Sequence, residues 1–326
     1  TDFTYRRAIQ INNSASETLR KWYTIEVSGF DTTNATNFNQ SNINNFAVIC
    51  DGTEVDKVIG NITDIPFYDS SNGYGTTNTT FLFRLPMNIS ASSINNTFCY
   101  IYYGYLTFNS PETNISEIAL LYDDFNRQNS ATVGNGWEDN SYFEIVNNQL
   151  EDVGSNNGAT QRLLDVGTCY DCEKYEIFFD YTWDGINGGG IYSTFSDTLE
   201  NPLTINGYIS GSKGIFWNLA DETDPDAFHI GSSSTTTAVK DSSIIINSGQ
   251  GYNIRIIAFD DINRGDWIAY KDNEYVIWSS TNSTDKTISN GIKNVTKLSS
   301  NRVGNRYSYY MIRRWMANPP TITLGI

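Results

Sequence analysis

Ten asparagines stand two places before a serine or threonine, the pattern on which an oligosaccharide is transferred to the side-chain amide nitrogen. Eight of them, Asn12, Asn34, Asn39, Asn61, Asn78, Asn88, Asn95 and Asn114, crowd into the first third of the chain, and only Asn282 and Asn294 follow. A chain this rich in Asn, Ser and Thr reaches such a total by chance, so the skew toward one end is what points to selected attachment. An N-glycan is bulky and solubilising, and its acceptor must sit on an outward surface of an exported protein. The expectation is a secreted, extracellular or cell-surface glycoprotein with a sugar-coated first domain.

Bond-making chemistry finds fewer candidates. Enzymes that cut glycans on a sandwich scaffold set two carboxylates at alternate positions of one strand. The run Glu222-Thr-Asp224-Pro-Asp226 comes nearest, but Pro225 interrupts the alternation and the stretch reads as an acidic loop. His229 is the only histidine, with no Ser or Cys beside it carrying the partners of a nucleophilic triad. No catalytic residue is assigned, and the chain is read as a non-enzyme. Sugar binding instead needs exposed rings with amides or carboxylates beside them. Trp183 with Asp184 and Trp217 with Asn218 are such pairs, although core filling is the commoner use of aromatics in a chain where they make up 14%.

The net charge of −16 sets this surface against phosphate-rich partners, so neither nucleic acid nor an anionic membrane surface is expected to bind it. Charged residues are only 18% of the chain, which leaves a surface of hydroxyls and amides suited to hydration by sugars. No apolar run approaches the roughly 20 residues that cross a bilayer, so membrane insertion is not expected; no signal peptide opens the chain, and Thr1 is expected to begin a mature form. Four cysteines allow three pairings. Cys50 and Cys99 lie on strand-like stretches of the first half, and a bridge between them is expected. Cys169 and Cys172 would then face each other across a tight Cys-Tyr-Asp-Cys loop; free buried thiols are the alternative.

These groups must be held by sheets, because helical periodicity is almost absent. Short alternating or apolar runs recur instead, bounded by Gly, Asn, Asp or Ser. They include 5–11, 22–27, 46–50, 80–85 and 98–103 in the first half, and 175–183, 252–259, 267–270, 275–278 and 307–313 in the second. Asp272-Asn273, between Trp267-Ile-Ala-Tyr-Lys and Glu274-Tyr-Val-Ile-Trp, is a two-residue hairpin turn, since both residues tolerate positive φ. The fold class is all-β: two tandem antiparallel β-sandwich (jelly-roll) domains, 1–110 and 120–326, joined by a linker over 111–119 that holds Pro111 and a sequon.

Phe3-Thr-Tyr-Arg-Arg-Ala-Ile-Gln-Ile, Phe46-Ala-Val-Ile-Cys-Asp-Gly and Tyr100-Ile-Tyr-Tyr-Gly-Tyr resemble, over residues 1–107, a secreted domain family catalogued only as a domain of unknown function. Such domains occur in surface and adhesion-like proteins of archaea and bacteria, frequently ahead of a lectin-like sandwich. Tyr122-Asp-Asp-Phe-Asn-Arg, Gly136-Trp137 and Glu144-Ile-Val-Asn-Asn-Gln-Leu resemble a concanavalin-type or laminin-G-type jelly roll. That resemblance implies a calcium ion near the opening Asp-Asp-Phe turn, where Asp123 and Asp124 are the matching positions; no other cofactor is called for.

The chain closes on Pro319-Pro320 and then Thr321-Ile-Thr-Leu-Gly-Ile326, a short alternating segment. One reading makes it the last strand of the second sandwich. The sharper one makes it, or the opening stretch from Thr1 through Ile11, a donor strand that completes the sheet of a neighbouring copy and so builds a homopolymer. The function expected is that of a structural surface protein, a subunit of an extracellular filament or coat with an adhesive role toward glycans or other cells. The alternative is a lectin-like carbohydrate-binding module, with or without calcium.

Overall fold

The computed structural model of the chain describes residues 3–34, 46–59, 75–104, 115, 118–139, 141–154, 158–163, 174–182, 191–196, 215–221, 224–232, 239–241, 249, 251–261, 264–271, 274–279, 295–300, 303–316 and 318–325. The described secondary structure is all-β and every strand pairing is antiparallel. Two compact units result: Thr1–Leu120 together with Met316–Ile326, and Leu121–Trp315.

The first unit holds β1 (Tyr5–Asn13), β2 (Thr24–Phe30), β3 (Ala47–Cys50), β4 (Thr53–Val55), β5 (Lys57–Ile59), β6 (Thr79–Arg84) and β7 (Ser93–Tyr103), with β23 (Thr321–Leu324) from the far end of the chain. Five strands form one sheet in the order β23-β1-β7-β3-β4, and β2-β6-β5 form a second. Period-two alternation decides what each strand buries. On β1, Ile9, Ile11 and Asn13 are fully buried, which turns Arg6, Ala8, Gln10 and Asn12 to the opposite face. Ile25, Val27, Phe30, Phe46, Val48, Phe81, Phe83 and Ile101 complete the core, each worth about 2 kcal/mol of burial. The expected bridge is present: Cys50 and Cys99 are direct cross-strand partners on β3 and β7 and are joined by a disulfide.

One cation enters this core. Lys57 is only 4% exposed, and its Nζ lies 4.8 Å from the centre of the Phe46 ring. Burial drives its ammonium pKa down to about 8, against the opposing pull of Glu54 and Asp56.

The second unit runs through β8 (Leu121–Asp123), β9 (Glu138–Asp139), β10 (Phe143–Val146), β11 (Gln149–Asp152), β12 (Gly158–Leu163), β13 (Lys174–Thr182), β14 (Ile191–Ser196) and β15 (Ile215–Asp221). It continues with β16 (Asp224–Ser232), β17 (Val239–Asp241), β18 (Gly251–Asp261), β19 (Arg264–Lys271), β20 (Glu274–Ser279), β21 (Val295–Ser300) and β22 (Arg306–Arg314). One sheet has the order β10-β11-β22-β13-β18-β19-β20, with β8 also on β22; the other runs β17-β16-β15-β14-β21-β12-β9. Their inner faces meet where Thr296 Oγ1 of one sheet and the Tyr310 hydroxyl of the other lie 2.9 Å apart. Ile177, Phe179, Tyr181, Ile254 and Ile312 fill one inner face, and Leu298 with Thr160 the other. β19 and β20 pair as the expected hairpin requires, with Lys271 opposite Glu274, while Asp272 and Asn273 themselves lie outside the described residues. A second two-residue turn, Asn147-Asn148, joins β10 to β11 with φ of 50° and 62°, the left-handed values that Asn tolerates best after Gly.

Three expectations are corrected. The tail is not the last strand of the second sandwich: β23 pairs with β1, setting Ile9 opposite Leu324 and Asn12 opposite Thr321. The end of the expected linker is packed, with Ile118, Ala119 and Leu120 buried; Thr24 Oγ1 donates to the Ile118 carbonyl at 2.9 Å and Arg84 Nη1 to that of Ala119 at 3.3 Å. Finally, Asp224, Pro225 and Asp226 open strand β16 rather than lying in a loop. The proline is accommodated because the β15–β16 register shifts between Leu219 and Asp221, an irregularity that relieves the ladder of the missing N–H.

Candidate functional site

The sequon asparagines that the structure describes all belong to the first unit. Asn34, Asn78 and Asn88 are exposed, and Asn12 is half-buried on β1. Local bonds hold two of these positions. Asp31 Oδ1 accepts from the Thr33 backbone N–H at 2.9 Å and from its hydroxyl at 2.7 Å, a tight turn directly before Asn34; these bonds, the backbone one foremost, hold the Asp31 carboxyl below its usual pKa. Asn88 Oδ1 accepts the Lys21 backbone N–H at 2.7 Å. Asn95 lies on β7, its side chain undescribed; Asn39, Asn61, Asn114, Asn282 and Asn294 lie outside the described residues, as do Cys169 and Cys172.

The C-terminal strand is held along one edge. Gly325 donates its backbone N–H to the Ala8 carbonyl at 2.9 Å, and Arg7 Nε donates to the Gly325 carbonyl at 2.9 Å. Antiparallel alternation then turns the main-chain groups of Thr321 and Thr323 toward β1 and those of Ile322 and Leu324 away from it. Ile322 and Leu324 pack their side chains against the core cluster, yet no residue of β23 is fully buried.

Asp123 is a buried hub, with a side chain only 1% exposed. Its Oδ1 accepts from the Phe125 backbone N–H at 2.8 Å and from Arg127 Nη1 at 2.7 Å. Its Oδ2 accepts from Asn135 Nδ2 at 3.0 Å, Trp137 Nε1 at 2.9 Å and Arg127 Nη2 at 3.2 Å. A carboxylate neutralised by a guanidinium and ringed by N–H donors is a poor calcium ligand, because the donors occupy its lone pairs and the arginine repels the ion. Asp124 is exposed and accepts the Asn126 backbone N–H at 3.0 Å. Among the described residues no group of three or more His, Cys, Asp or Glu could hold a metal. The Asp-Asp-Phe turn is thus a structural knot: Asp123 orders the chain from Phe125 to Trp137.

Of the sugar-binding pairs, Trp183 and Asp184 lie outside the described residues. Trp217 lies on β15, where backbone register sets it opposite Ser193 of β14 and Ile230 of β16. The same register sets Asn218 opposite Tyr192 and His229, and His229 opposite Lys240.

A charge cluster on β13, β18 and β22 has no simple sequence signature. The fully buried Glu176 is ion-paired with both Arg255 and Arg313, whose guanidinium carbons stand 5.7 Å and 5.2 Å from the centre of the Phe178 ring. The only hint is charge inside otherwise apolar strand runs; the partners become visible once the three strands are in register.

No protein-family model and no curated protein matches the chain, so the likeness of residues 1–107 to a secreted domain family has no support from that comparison. Solved structures with a similar fold do exist. The carbohydrate recognition domain of Emp47p is 12% identical with a TM-score of 0.43, covering 60% of this chain and 94% of that one. Lectin II from Ulex europaeus is 12% identical with a TM-score of 0.39, over 60% and 98%. The endo-1,3-beta-glucanase from Streptomyces sioyaensis is 10% identical with a TM-score of 0.42, over 60% and 95%. These likenesses concern the fold and assign no activity. Among the described residues no helix is long and apolar enough to cross a membrane.

Proposed function

We propose that this chain is an exported, N-glycosylated protein of an extracellular surface that works by contact, as the subunit of a filament or coat with an adhesive role. The observation that carries the reading is β23. A strand that follows the whole second unit, leads in through Pro319-Pro320 and is held to β1 along one edge can leave one copy and dock on the next in the same register. Such an exchange costs little, because the pairing a strand gives up on its own β1 is restored on the β1 of its neighbour, and repeated head to tail it gives an open polymer. The buried Cys50–Cys99 bridge suits an oxidising compartment, and exposed acceptors at Asn34, Asn78 and Asn88 suit a sugar-clad exterior. Negative-stain microscopy of native material is the test. Fibres or sheets that vanish when residues 321–326 are deleted support the proposal; dispersed monomers in the native material refute it.

A second reading, carbohydrate recognition by the second unit, is motivated by the backbone register that sets positions Tyr192, Asn218, His229 and Lys240 side by side across β14 to β17. A glycan array probed with and without chelator tests it. Binding lost in Asn218→Ala supports recognition along this row of strands, and a blank array removes it.

A further inference from the structure

On the face of the five-stranded sheet opposite its core, β7 carries a row of rings. Phe98 is 37% exposed, and Tyr100 and Tyr102 are half-exposed, with ring centres 6.2 Å apart. Phe3 extends the row, 5.8 Å from Tyr102. On the neighbouring strand the short Ala8 stands opposite Tyr100 and leaves that ring uncrowded, while the Arg6 guanidinium lies 5.1 Å over it and steadies its orientation. A contiguous aromatic row of this kind on a polar surface calls for a cover.

The same face carries a sugar acceptor. Ile9, Ile11 and Asn13 are buried on the core side, so Asn12 shares the outer face with Arg6, Ala8 and Gln10. Four residues of strand, about 13 Å, separate Asn12 from Ala8 and hence from the level of Tyr100, with Phe98 nearer still. A neutral saccharide is a good cover, because the CH-bearing side of a pyranose packs on an aromatic ring while its hydroxyls reach groups such as the Gln10 amide. Tethering at Asn12 also makes the contact intramolecular, so weak stacking suffices.

We infer that the saccharide carried by Asn12 folds back along Phe98 and Tyr100 and forms the outer cover of this sheet. The inference rests on the reading of the chain as an exported glycoprotein. Its test is glycopeptide mass spectrometry of native protein, followed by melting and apolar-dye binding of four variants: Asn12→Gln, Ser14→Ala, Phe98→Leu, and Ser14→Ala with Phe98→Leu. Ser14→Ala removes the sugar and keeps Asn12; Phe98→Leu keeps apolar bulk and removes the ring. Both sugar-free single variants should melt about 4 °C lower and bind more dye. In the Phe98→Leu background, loss of the sugar should change little. Full occupancy of Asn12 with no melting change in Ser14→Ala, or with additive losses in the double variant, overturns the inference. A bare Asn12 beside occupied Asn34, Asn78 and Asn88 overturns this inference alone, whereas bare amides at all four also sink the glycoprotein reading.

Discussion

Arg7 reaches the main-chain oxygen of Gly325 across 2.9 Å, so a side chain of the first strand clasps the last described residue of the chain. Two ends of a sequence that brackets an entire second unit thereby belong to one sheet. The clasp is a charge-assisted hydrogen bond at a half-buried site, which puts its contribution at about 1–2 kcal/mol.

Arg7→Ala should therefore loosen β23 without unfolding the second unit. The expected outcome is faster proteolytic trimming of the last residues and faster amide exchange at Gly325, with core amides such as Ile9 unchanged. Equal trimming rates in variant and parent would mean that main-chain pairing alone holds the strand.

Cys99→Ser, made together with Cys50→Ser, opens a cross-link between residues separated by 49 positions. Chain-entropy reasoning assigns such a loop about 4 kcal/mol, with measured losses on the order of 2–5 kcal/mol. Denaturant unfolding of the first unit should show that drop, and the reduced parent should behave like the double variant.

Lys57 supplies a pH signature. Its folded pKa, about 8, lies below the ordinary lysine value of 10.5. Between those values the unfolded chain binds more protons than the folded one, so stability rises as pH climbs from about 8 toward 10.5 and is flat below. Above pH 10 the trend reverses, because burial, reinforced by Asp124 and Asp123 around Tyr122 and by Asp180 near Tyr309, holds these phenols neutral in the folded state while the unfolded state ionises. Lys57→Met should abolish the rise between pH 8 and 10 and leave the fall above it. A melting profile in the variant that still climbs over that interval would assign the effect to another group.

Asp123→Ala strips five donors of their acceptor and leaves the Arg127 guanidinium without its carboxylate. A loss of about 3–5 kcal/mol is expected, the range found when one partner of a buried pair is removed. Calcium and chelator should both leave the melting temperature of the parent unchanged. A rise with calcium concentration would instead reveal a site that binds the folded state.

Much of this architecture was legible in the residues. Alternation at Arg6-Arg7-Ala8-Ile9-Gln10-Ile11 and the apolar run Phe46-Ala-Val-Ile-Cys announced strands; Asp272-Asn273 announced a turn. Cys50 and Cys99 were recognisable as partners because each ended or entered such a run. The candidate site was only half legible. Sequons are local by definition and can be read directly, whereas the row formed by Phe98, Tyr100 and Tyr102 looked no different from core filling until the burial of Ile9, Cys99 and Ile101 fixed which face was out.

What the sequence determined by itself is therefore whatever depends on neighbours within a few positions: strand character, turn chemistry, the placing of the sequons and overall charge. The tertiary structure decided which edge the strand Thr321–Leu324 joins, which face of β7 lies outward and whether Asp123 meets a cation from solvent or from Arg127. The physical reason is that a period of two specifies two faces without naming the inner one. That choice, like the choice of a strand's partner, is made by burying side chains such as Ile322 and Leu324 against groups hundreds of residues away.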